Sequence, residues 1–171
     1  MGQLRTLAWM MSAASLAAGA SAQAPREYDT LDMKELRTIA ERGGLDVVAV
    51  ERGSMMVSDG KGFPARLSLA GCDRREDCRV VRVYTRYVIG DSEKGMTAAN
   101  LFSVNFTSTT LMLVMAAGEP AIDVGRDASL EGGRTEGEVL GEIATAMSDA
   151  RLLRDRLMDS DPFLKAMLGR P

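Results

Sequence analysis

The stretch FPARLSLAGCDRREDCRVVRVYTRYV, residues Phe63 to Val88, decides the fold. Up to the first cysteine, Phe63, Ala65, Leu67 and Leu69 alternate with Pro64, Arg66, Ser68 and Ala70. Successive side chains of a strand point to opposite faces, so this alternation predicts a strand with one buried face. After the second cysteine, VVRVYTRYV carries the β-branched and aromatic residues that fit a pleated surface. The residues between Cys72 and Cys78 are all charged, which predicts a solvated loop tip. Two such strands around a short polar loop read as a hairpin, with the cysteines where the strands leave and re-enter the sheet. Three readings of the pair stand open: a structural disulfide, a redox-active dithiol and a metal clip. A structural zinc site takes four Cys or His ligands, and this chain has two cysteines and no histidine. The thioredoxin-type redox motif is C-x-x-C, a different spacing. The staple is the favoured reading.

The chain has 171 residues, 46% hydrophobic and 26% charged, enough for one domain with a packed core. Net charge is −3 and no Lys/Arg cluster appears, so nucleic-acid binding is not expected. Without histidine, a Ser-His-Asp triad, a Cys-His pair and any His-ligated metal are excluded from within the chain. Residues 1–22 read as a secretory signal peptide: Arg5, an apolar run from Leu7 to Ala18, then Ala20-Ser21-Ala22. Cleavage is expected between Ala22 and Gln23. Its removal takes away one positive charge and leaves a net charge of −4. The apolar run is shorter than the roughly 20 residues that span a bilayer, and no cysteine near the exit suggests a lipid anchor. Periplasmic or secreted location follows, and there disulfides persist.

Beyond this leader, residues 23–28 read as a flexible lead-in and 29–171 as a single domain. TLDMKELRTIAERGG predicts a helix capped by Asp29 or Thr30, with Met33, Leu36, Ile39 and Ala40 inward and Gly43-Gly44 as its stop. Strands are expected near 46–51 and 54–59, then the cysteine hairpin. EKGMTAANLFSVNF predicts a second helix, with Met96, Ala99, Leu101, Phe102 and Val104 mostly buried. Leu111 to Met115 is apolar enough to predict a central strand, and Pro120 opens a partner strand over Ala121 to Val124. Thr135 and Glu138 form a capping box before a helix that buries Val139, Leu140, Ile143, Ala144 and Met147, extended by Leu153 and Leu157. Gly137 and Gly141 would let that helix approach the sheet. Asp161-Pro162 starts a last short helix. The fold class is α+β: a largely antiparallel sheet of about six strands with two to four helices packed on it.

In that order, several signatures resemble a YbjN domain, in the exported form found in bacteria. They are the helix ending in Gly43-Gly44, the strand–Cys72…Cys78–strand unit, and the helix with Asn105. Leu111 to Pro120, Gly132-Gly133 and Phe163 complete the set. The resemblance implies a sandwich like that of type III secretion chaperones, often dimeric, with no established enzyme activity. Members often carry two asparagines three apart around a tryptophan, followed by an arginine. Here Asn105 matches the second asparagine, Phe102 replaces the first, and Thr107 to Thr110 offer no arginine.

The function expected is a non-catalytic exported binding or chaperone-like module, not an enzyme, with no cofactor or metal. Its partner is a protein or peptide, with a homodimer as one form, and no membrane anchor. The alternative is a thiol-redox protein using Cys72 and Cys78. Hydrolysis by carboxylates alone lacks any acidic pair that the sequence places in a cleft. Asp123, Asp127 and Glu131 recur every fourth residue but diverge on a strand, and Asp127 reads as a turn former. The methionines read mainly as core filler, yet Met56 and Met112 sit on strands that can offer adaptable apolar area to a partner.

Overall fold

The computed structural model describes residues 25–90, 93–105 and 109–168. In chain order the elements are β1 (Glu27–Tyr28), α1 (Met33–Arg42), β2 (Asp46–Glu51), β3 (Ser54–Ser58), β4 (Pro64–Cys72) and β5 (Cys78–Val88). There follow α2 (Glu93–Asn105), β6 (Thr110–Ala116), β7 (Glu119–Ser129), β8 (Arg134–Thr135), α3 (Glu136–Ser160) and α4 (Pro162–Leu168). Six strands form an antiparallel sheet in the order β2-β3-β4-β5-β7-β6, and β1 pairs with β8 in a separate ribbon. The α+β class, the six strands and the helices are as the sequence predicts. The expected signal peptide and its cleavage site, Ala22 and Gln23, lie outside the described residues.

The predicted hairpin forms, with the cysteines where its strands meet the loop, and its register runs from Arg66 opposite Tyr84 to Cys72 opposite Cys78. Ala65, Leu67, Val81, Val83 and Tyr87 are buried, and their alternating neighbours face outward. On the buried face α3 packs against β5 and β7. Its stripe is Val139, Ile143, Ala146, Met147, Ala150, Leu153 and Leu157, one side of a 3.6-residue period. Each large apolar side chain so enclosed contributes about 2 kcal/mol relative to exposure. The Tyr87 hydroxyl donates to the Ala150 carbonyl at 2.7 Å and pins the helix to the sheet. The expected capping box opens α3: Thr135 Oγ1 accepts the Glu138 N–H, and the Glu138 carboxylate accepts the Thr135 N–H.

Several expectations are corrected. The N-cap of α1 is Asp32, whose carboxylate accepts the Glu35 N–H at 2.7 Å, not Asp29 or Thr30. The lead-in is ordered at its end, because Glu27–Tyr28 pair with Arg134–Thr135 and Tyr28 is buried. Leu31 then exchanges both backbone hydrogen bonds with Cys78. In α3, Ala144 is exposed, and Ala146 and Ala150 take the inner positions. Gly137 and Gly141 face open space. The close approaches fall elsewhere: a Cβ on Gly43 would meet the Leu140 side chain at 2.3 Å, and one on Gly125 would lie 2.1 Å from the Val83 carbonyl oxygen.

The largest correction concerns β6. Leu111 to Met115 lie on an edge strand, not a central one. The partner strand β7 runs for 11 residues instead of the expected four, and it inserts between β5 and β6. The polar residues after Val124 hid that length: Arg126 and Asp127 read as the end of a strand, yet the alternation continues to buried Ala128.

Gly125 sits inside this longest pairing, opposite Tyr84. Gly125→Ala therefore forces backbone apart and is expected to lower the unfolding free energy by about 2 kcal/mol. Urea denaturation followed by circular dichroism checks it; an unchanged midpoint would show that the strand relaxes freely.

Candidate binding surfaces

The core-facing residues of the strands lie under the helices, which leaves the other face of the sheet largely open. Pairing places Met56, Arg66, Tyr84, Gly125 and Thr110 in one row across β3, β4, β5, β7 and β6. Arginines and carboxylates neutralise this face by cross-strand pairs. Arg82 reaches Asp127 through Nε and Nη2, both at 2.8 Å, and Arg86 reaches Asp123 in the same two-pronged way at 2.6 and 2.7 Å. Arg66 pairs with Glu51 and donates to Ser54 Oγ at 3.1 Å. These hydrogen bonds raise the pKa values of the three arginines, and the Arg82 fork lowers that of Asp127. Asp127, read from sequence as a turn former, is thus a strand residue, and both it and Asp123 have arginine partners.

Beside Gly125 the missing side chain opens a shallow groove of about 300 Å³ between Tyr84, Thr110 and Met112. Met112 is 49% exposed there, and Met56 lies half-buried beside Arg66 in a smaller hollow. The structure puts both methionines on one face but four strands apart, about 19 Å at the usual strand spacing. They do not form one patch. The apolar surface is instead concentrated on β6, where Met112, Leu113 and Met115 are 49%, 61% and 65% exposed. Leu113 and Met115 belong to the run expected to be central, and their exposure was not legible, since an apolar run looks the same whether a neighbour covers it or not.

The two outer strands differ. On β2, Val48 and Val50 are exposed, but the register shifts between Val47 and Ala49, and Asp46 and Glu51 flank the strand. Bulges and flanking charges blunt an edge. On β6, TLMLVMA pairs with β7 without a break and holds no charge, proline or glycine. Its outer edge has no strand partner among the described residues.

Under the sheet lies a polar cluster that the sequence did not announce. Arg126 points from β7 toward α3 and pairs with Glu142 at 3.0 Å and Asp149 at 3.9 Å. Thr109 donates its hydroxyl to Asp149. Glu136 and Glu142 are engaged by Arg42 and Arg126. Leu101, Phe102, Val104 and Asn105 have side chains outside the described set.

Cys72 and Cys78 form a disulfide at the loop end of the β4–β5 hairpin. Cys78 is buried and its backbone is shared with Leu31, while neither sulfur lines a groove of the sheet face. In the loop, Asp73 accepts N–H bonds from Arg75 and Asp77. The arrangement is that of a brace. Unreduced protein should therefore weigh two protons less than its sequence, and replacing both cysteines by serine should lower the unfolding free energy by about 2 kcal/mol with the fold retained. Intact-mass and urea measurements check both.

Acid sensitivity follows from two carboxylates. Burial acts against ionisation of Asp59, but the N–H groups of Phe63 and Lys61 and the Arg151 guanidinium outweigh it and hold its pKa below 3.8. Asp127 is lowered too, chiefly by Arg82. Groups with depressed folded pKa values stabilise fully above their unfolded values, and that contribution disappears as pH falls through the folded ones. Melting temperature should be flat from neutral pH down to about 5 and fall below about 4. Asp127→Asn should flatten part of that fall, and added salt should shrink the difference. An Asp127→Asn curve parallel to wild type would remove Asp127 from the account.

No family model and no curated protein matches the chain. Solved structures similar in fold include YbjN of E. coli, described as a candidate transcription regulator. It is 13% identical with a TM-score of 0.58, over 72% of this chain and 88% of that one. An uncharacterized protein of Methanothermobacter thermautotrophicus is 8% identical with a TM-score of 0.53, over 75% of this chain and 98% of that one. At these identities the likeness is one of fold, and the fold of this chain is YbjN-like.

Proposed function

We propose that the chain is an exported, non-catalytic binding module of the YbjN type, chaperone-like in that it takes a protein or peptide partner, a second copy of itself included. The observation that carries this reading is β6: an uninterrupted, uncharged, apolar edge strand with Met112, Leu113 and Met115 exposed. An edge of this kind presents unsatisfied backbone groups to a further strand, and apolar side chains on both faces add area to the pairing. Met112 would lie within the contact, and Met56, four strands away, outside it. The YbjN-like fold supports a binding rather than a catalytic role. The Arg5, Leu7–Ala18, Ala20-Ser21-Ala22 pattern and the disulfide support the periplasm or the cell exterior. In such a compartment, regulation of the kind named for YbjN would run through protein contacts, in keeping with the negative net charge of this chain.

The exported form should begin at Gln23 by N-terminal sequencing. Light scattering and a pull-down from envelope extract should show self-association or a captured partner, and Leu113→Asp should weaken it about tenfold or more by placing a charge on the edge. A strictly monomeric protein that captures nothing, or an association indifferent to Leu113→Asp, would end the reading.

A further inference from the structure

A second surface differs in chemistry from β6 and shares no residue with it. Where the β3–β4 loop, the end of β5 and the C-terminal half of α3 meet, a cleft of about 770 Å³ opens. Every charged side chain lining it is a cation: Lys61, Arg86, Arg151 and Arg154. Its apolar lining comes from Phe63, Tyr87, Met158 and Leu168. In a chain of net charge −3 the cations line this cleft while the carboxylates that pair with three of them, Asp59, Asp123 and Asp155, lie outside its lining.

The cations are held in place from outside the cleft. Asp59 accepts the N–H groups of Lys61 and Phe63, each at 2.9 Å, and pairs with Arg151. Asp123 holds Arg86 through Nε and Nη2, which leaves Nη1 out of that pair. Arg151 and Arg154 both lie on the Phe63 ring, at 4.6 and 5.3 Å from its centroid. Lys61 has no ion-pair partner among the described residues. A guanidinium has five N–H donors in a planar fork, so each arginine keeps donors beyond its internal carboxylate.

We propose that this cleft binds an acidic peptide segment in which carboxylates alternate with apolar side chains. Arg86, Arg151 and Arg154 are paired with Asp123, Asp59 and Asp155, so the anionic groups of a ligand meet Lys61 and the donors these arginines keep free, and the volume far exceeds a single carboxylate or phosphate. The apolar residues among the cations ask for an amphipathic ligand. A membrane surface fits less well, because it is met by protruding side chains, whereas Arg151 and Arg154 are recessed, about one-third exposed. Arginine forks bind carboxylates two-pronged, and the part-exposed Met158 and Leu168 accept the apolar side chains.

The test is fluorescence anisotropy of a labelled twelve-residue peptide alternating glutamate with leucine and phenylalanine, added to the purified protein. Binding should weaken about tenfold in Arg154→Glu and several-fold in Lys61→Glu, and fall as salt rises from about 0.05 to 0.5 M. Lys61 makes no structural ion pair, so its variant keeps the test valid where Arg154→Glu disturbs the fold. A counterpart peptide with lysine for glutamate should not bind. No binding of the acidic peptide, equal binding of the lysine peptide, affinity unchanged in both variants, or tighter binding to phosphatidylglycerol vesicles than to the peptide would each overturn the proposal. The Leu113→Asp measurement reads β6 alone, so either surface can fail without the other.

Discussion

Burial of one sheet face under a single long helix is the constraint from which the rest follows. The 25 residues of α3 lie on β5 and β7, and small residues at Ala146 and Ala150 let the helix come close. Close approach brings polar groups under cover as well. Arg126 is then enclosed with Glu142 and Asp149, and Tyr87 reaches the Ala150 carbonyl. Desolvation of such ions offsets most of their attraction, so the cluster adds little net stability over an apolar one. Its effect is positional. Sliding α3 by a turn would leave Arg126 and Asp149 without partners under the sheet, which costs several kcal/mol, while the apolar stripe alone tolerates such a slip.

With the helices spent on one face, the other must be made compatible with water from the strands themselves. The solution is a set of arginines on β4 and β5 facing carboxylates on β2 and β7. Exposed pairs of this kind contribute little each. Their value lies in covering apolar stems and leaving the face neutral, with Gly125 and Tyr84 at its centre. The apolarity that remains is pushed outward to β6, where α3 does not reach. That contrast between a wet centre and an apolar rim makes β6 the natural pairing edge, while β2, bulged and flanked by acids, is not.

Much of this was legible in the sequence, and the limits have a common cause. Alternation in Phe63 to Ala70 showed the first strand and its inner face, because period two is a property of one strand, and the β-branched and aromatic run Val80 to Val88 showed the second. The capping box at Thr135 is likewise local. What a residue meets across the fold is not local. Leu111 to Met115 was read as central because apolarity signals burial, yet β7 took the central place by extending through Asp123 and Asp127. Asp127 looked like a turn former until Arg82 stood opposite it. Gly137 and Gly141 looked like packing glycines, whereas Gly125, inside a strand whose length was missed, is the one pressed against backbone.

The same division explains how chains with 13% and 8% identity share this fold. One-sided burial asks only for alternation along the strands, an apolar helix stripe and a few backbone positions such as Gly125. Many sequences satisfy it. Nothing in those demands fixes the outer edge of β6, the charge pattern of the open face or the lining of the cleft beside Phe63. Fold likeness therefore carries no partner with it. In this chain the choice of partner rests on residues the fold leaves free: uncharged TLMLVMA at the edge, and Lys61, Arg151 and Arg154 around an aromatic ring, each surface selecting by a different physical force.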